Sequence, residues 1–103
     1  MAGSRIILDE TVIVNSRHRA ILYAVEVPVS KKFPTGIKAK FILLHEEGYP
    51  RLLVDNHEPY GFHMHTCLPE DRDTRVELKV TDHNEALSIF LREVERIVKD
   101  ERE

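Results

Sequence analysis

Apolar and polar positions alternate with a period of two through most of the first eighty residues, and the period then lengthens. Arg5 to Val14, rich in Ile and Val, predicts a first β-strand that ends in a turn at Asn15-Ser16. Arg19 to Val29 predicts a second, in which Ile21, Tyr23, Val25 and Val27 alternate with smaller or polar residues; Pro28 puts its end at a sheet edge. Lys31 to Gly36 is a loop punctuated by Pro34 and Gly36. Ile37 to His45 predicts a third strand, with Ile37, Ala39, Phe41 and Leu43 facing one way and Lys38 and Lys40 the other. Glu46 to Pro50 turns the chain into a fourth strand, Arg51 to His57, and a fifth follows from Phe62 to Cys67. Pro69 to Asp73 is a charged loop, and Arg75 to Val80 predicts a sixth strand with Val76, Leu78 and Val80 on one face.

Beyond Asp82 the apolar residues Ala86, Leu87, Phe90, Leu91, Val94, Ile97 and Val98 recur at spacings of three and four, one stripe of an α-helix. Asp82 is a good N-cap, and Glu85 three residues on makes a capping-box-like pattern. The helix is expected to bury Leu87, Phe90, Leu91, Val94 and Ile97, and Tyr23 and Phe90 are expected in the core. Consecutive strands with short connections imply an antiparallel meander, and one amphipathic helix can cover one face of it. The expected fold is α+β: an antiparallel β-sheet meander of five to six strands with a C-terminal α-helix packed on one face, in a single domain over residues 1–103.

Composition narrows this little. Apolar residues make up 42% and charged residues 32% of the chain, as in an ordinary globular protein. No apolar run is long enough to span a bilayer, and the N-terminus lacks the basic-then-apolar pattern of a signal peptide, so neither a membrane nor a secretion signal is expected. The single cysteine, Cys67, excludes an internal disulfide and fits a cytoplasmic location. The net charge of −3 is unevenly spread. Residues 1–40 hold seven Lys or Arg against three acids, and residues 41–103 eight against fifteen. The basic half could face phosphate, with Arg17-His18-Arg19 and Lys31-Lys32 as its patches.

The chemistry concentrates between Arg51 and Cys67, which contains Asp55, Asn56, His57, His63 and His65. Glu58-Pro59-Tyr60-Gly61 is rich in turn formers, so the two strands around it form a hairpin whose register decides what these groups can do. If His57 pairs with His63, Asp55 falls opposite His65, and all four lie on one face with Val54 and Met64 on the other. This is the expected register, because it separates polar from apolar groups. Two histidines on one face can divide general acid and general base roles, with Asp55 orienting one imidazole. Arg51 and Asn56 are then the candidates for binding phosphate. The same four residues, His57, His63, His65 and Asp55, are alternatively ligands for zinc or another transition metal. A third possibility is that Asp55 and Asn56 shape the approach to the turn through side-chain-to-backbone hydrogen bonds.

Val54-Asp55-Asn56-His57 followed by Gly61-x-His63-x-His65 resembles the signature of the TumE-type toxin family. These are small proteins encoded in bacterial and archaeal toxin–antitoxin pairs, usually beside a DNA-binding antitoxin. The likeness runs loosely over residues 20–100 and is specific only from Asp55 to His65. It implies a growth-inhibiting toxin that acts on RNA, with an antitoxin protein as partner. Joined to the histidine chemistry, the expectation is a metal-independent endoribonuclease without a cofactor. A ribose 2′-hydroxyl would be the nucleophile, with His57, His63 and His65 sharing proton transfer. The rival expectation is a non-enzymatic binding module or a small metal-binding domain.

Overall fold

The computed structural model describes residues 5–31, 33–57, 61–66, 75–80 and 82–101. Six strands, β1 (Arg5–Asn15), β2 (His18–Glu26), β3 (Ile37–His45), β4 (Pro50–His57), β5 (Gly61–His65) and β6 (Val76–Glu77), are followed by one helix, α1 (His83–Glu101). The strands lie in the sheet in chain order and every neighbouring pair is antiparallel. The fold is therefore α+β, a meander with α1 packed across β3 and β4. No helix among the described residues is long and apolar enough to cross a membrane.

One sheet face and the helix stripe make the core. Ala20, Leu22 and Ala24 of β2, Ala39, Phe41 and Leu43 of β3, Leu52 and Val54 of β4, and Phe62 and Met64 of β5 meet Ala86, Phe90, Val94, Ile97 and Val98. The rings of Phe41 and Phe90 lie 5.8 Å apart. Asp82 caps α1 as expected: its Oδ1 accepts the Asn84 N–H at 2.8 Å and its carbonyl accepts the Ala86 N–H.

Four local expectations are corrected. Tyr23 is on the face away from the helix, because β2 turns Leu22 and the alanines inward. Leu91 is 45% exposed: it sits at the edge of the stripe, which centres on Ala86, Phe90, Val94 and Ile97. The sixth strand is only two residues long. The Val80 N–H bonds back to the Leu78 carbonyl at 2.6 Å, a tight three-residue turn that takes the chain out of the sheet. Leu78, whose N–H still reaches the Phe62 carbonyl at 2.9 Å, is buried, while Val76 stays 47% exposed. The second strand ends at Glu26 rather than Val29. The expected loop over 69–73 and Cys67 lie outside the described residues.

Candidate functional site

Loop length sets the register of the β4–β5 hairpin. His57 pairs with Gly61, whose φ of +68° suits glycine, so three residues separate the paired positions rather than five. Asp55 then pairs with His63 and Leu53 with His65. The expected pairing of His57 with His63 is displaced by two residues. A shift of two keeps every side chain on its face, and it sets Val54 directly against Met64 on the core side. Asp55, His63 and His65 consequently share the face opposite the helix, together with the strand position of His57.

Asp55 Oδ1 and His63 Nε2 are 3.1 Å apart, within ion-pair distance, but their alignment is not that of a hydrogen bond. The His63 side chain is 2% exposed and that of Asp55 25%, while His65 is half-buried. The rings of His63 and His65 meet edge to face with centroids 5.8 Å apart. The three side chains each offer one ligand atom, and these atoms all lie within 4.8 Å of one another. The trio can therefore orient an imidazole for proton transfer, or close around one transition-metal ion with little movement.

Two expected members are not part of it. Asn56 alternates to the helix side, where its Nδ2 donates to the Ile37 carbonyl at 2.7 Å and its Oδ1 accepts the Ala39 N–H at 2.9 Å. Its amide prolongs the β3–β4 ladder past Lys40–Asp55, the last main-chain pair at that end. Arg51 is the extra residue of a bulge, since Leu43 pairs with Leu52 and Leu44 with Pro50. It lies four residues along the strand from Asp55, about 13 Å.

Two residues not expected near Asp55 share its row across the sheet. Lys40 is directly opposite Asp55 and Tyr23 directly opposite Lys40. The signal for Lys40 was present in the alternation of β3, which turns it away from the core; what was lacking was the β3–β4 register.

A second histidine group has a structural explanation. At the far end of the sheet, buried His18 bonds through Nδ1 to Asn15 Oδ1 at 3.1 Å and meets the His45 ring at 5.2 Å. Tyr49 stacks on His45, and the Glu46 N–H reaches the Arg17 carbonyl, so this group pins two turns together. A cavity of about 220 Å³ beside it is lined by Arg17 and Arg19 but also by Glu46, and it holds none of the trio.

Comparison with protein-family models, with curated proteins and with solved structures finds no match for this chain.

Proposed function

We propose that the chain is a toxin-like, metal-independent endoribonuclease of the kind implied by the likeness of Val54–His65 to TumE-type toxins, with an antitoxin as its protein partner. The observation that carries this reading is the 3.1 Å contact of Asp55 with His63 beside His65, on a sheet face that no described helix covers. Burial divides the roles. Asp55 and His63 are positioning residues: the carboxylate lies against the closed-off imidazole, whose ring in turn braces His65 edge-on. His65 reaches the substrate and takes the proton from a ribose 2′-hydroxyl. The 2′-oxygen attacks the adjacent phosphorus, the bond to the 5′-oxygen breaks, and a second group protonates that leaving oxygen. His57, whose strand position shares the face, is assigned the second transfer. The products are a 2′,3′-cyclic phosphate and a 5′-hydroxyl.

The test is cleavage of labelled RNA by the purified chain. His65→Ala should slow it by roughly 10²–10⁴-fold and should relieve growth arrest on expression. A chelator should leave cleavage intact. RNA that stays uncut, with harmless expression in several hosts, would sink the reading. The convergence of three ligand atoms within 4.8 Å favours a second reading, a metal-binding module in which Asp55, His63 and His65 hold zinc. In that case elemental analysis finds stoichiometric metal, and Asp55→Ala or His65→Ala abolishes it.

A further inference from the structure

Register aligns six side chains in one row across the strands: Asp9, Tyr23, Lys40, Asp55, His63 and Glu77. Neighbouring strands are about 5 Å apart, so Tyr23 is one step from Lys40 and two, about 10 Å, from Asp55. The Tyr23 ring is half-buried and does no work in the core, which β2 fills from its other face with Leu22 and Ala24. Lys40 is exposed, and Lys38, two residues along the same strand, adds a second exposed cation on the same face. The next row, Ile21, Ile42 and Leu53 ending at His65, is half-buried and apolar. Proteins that hold single-stranded nucleic acid combine these components: an aromatic ring for a base, cations for the backbone and apolar ground between them. The acids Asp9 and Glu77 stand at the two ends of the row; Asp55, inside it, has its carboxylate set against His63, so the phosphate falls to Lys40 and Lys38 on the Tyr23 side of it.

We propose that this face binds single-stranded nucleic acid across the strands, with one base stacked on Tyr23 and the adjoining phosphate on Lys40, which feeds the backbone to His65. The inference rests on the reading of Asp55, His63 and His65 as an RNA-cutting site and names how its substrate is held. A duplex is excluded, because a paired base cannot lie flat on the ring.

The experiment titrates the full chain into a short fluorescein-labelled oligodeoxythymidylate and reads anisotropy. Without 2′-hydroxyls this probe binds but cannot be cut by the proposed route. Tyr23→Ala should weaken binding roughly tenfold, and Tyr23→Phe, which keeps the ring face, should restore it. Lys40→Gln should weaken binding and lower the slope of log affinity against log salt by about 1. Lys99→Gln, on the solvent side of the helix, should change nothing. No binding by the unmodified chain overturns the proposal. So does a loss carried by Lys40→Gln alone with Tyr23→Ala neutral, or an equal loss in Tyr23→Ala and Tyr23→Phe. Tyr23-dependent binding by a chain that leaves RNA uncut retains this inference and removes the nuclease reading. RNA cut at full rate by both Tyr23→Ala and Lys40→Gln does the reverse.

Discussion

His63 and His65 are two residues apart on one strand face, yet their substitutions should behave differently. His63 is closed off from solvent and lies against Asp55, so His63→Ala leaves a cavity beside the carboxylate. It should cost roughly 1–3 kcal/mol in urea unfolding, whereas half-buried His65 should tolerate Ala within about 1 kcal/mol. Equal unfolding midpoints for the two would refute that division. Asn56 contributes through the backbone instead. Asn56→Ala orphans the Ile37 carbonyl and the Ala39 N–H, and should lower stability by about 1–3 kcal/mol. A change under a few tenths would show that water replaces the amide. The sequence placed Asp55, His63 and His65 on one face because strand alternation survives any even shift of register. It offered side-chain-to-backbone hydrogen bonds for Asn56 as one reading but could not name Ile37 and Ala39 as the partners, because those depend on the β3–β4 register.

At the scale of elements, the periods of two and 3.6 revealed the strands and the helix, and Asp82 marked where the helix begins. Endings were less legible. The last strand is cut short by the Leu78–Val80 turn, which depends on a single hydrogen bond and leaves no Pro or Gly as a sign. The helix stripe was drawn too wide for the same kind of reason. Leu91 is as apolar as its neighbours, and only the width of the sheet surface beneath decides that it stays outside. Phe90→Ala should therefore cost about 3–5 kcal/mol, and Leu91→Ala about 0.5 kcal/mol, by chemical denaturation. Comparable losses at both positions would place Leu91 in the core after all.

Over the whole molecule, which measures 49 × 25 × 21 Å, the long edge is the least protected feature. β1 is eleven residues long, pairs among the described residues only with β2, and leaves Ile6, Val12 and Ile13 exposed, Ile13 by 74%. Irregularities in its pairing near both ends and the acids Asp9 and Glu10 at its centre discourage a second chain from adding to it. Asp9→Asn with Glu10→Gln should promote self-association at high concentration, visible as a rise in light scattering. A variant that stays monodisperse would show that the irregular pairing alone suffices. The uneven charge along the chain was legible from the sequence. Its meaning was not, since the meander sets Lys38 and Lys40 from the basic part beside Asp55 and His63 from the acidic part.

Strand order equal to chain order has a consequence for synthesis. Each strand's partner is the one made just before it, so the sheet can assemble as the polypeptide leaves the ribosome. Its apolar face waits for α1, which emerges after all six strands. At about 5–20 residues per second, a nascent sheet shows Phe41, Leu43, Leu52 and Val54 uncovered for seconds after β4 is complete. That window is when a chaperone, or a cognate partner translated alongside, would meet a surface that the finished protein never shows.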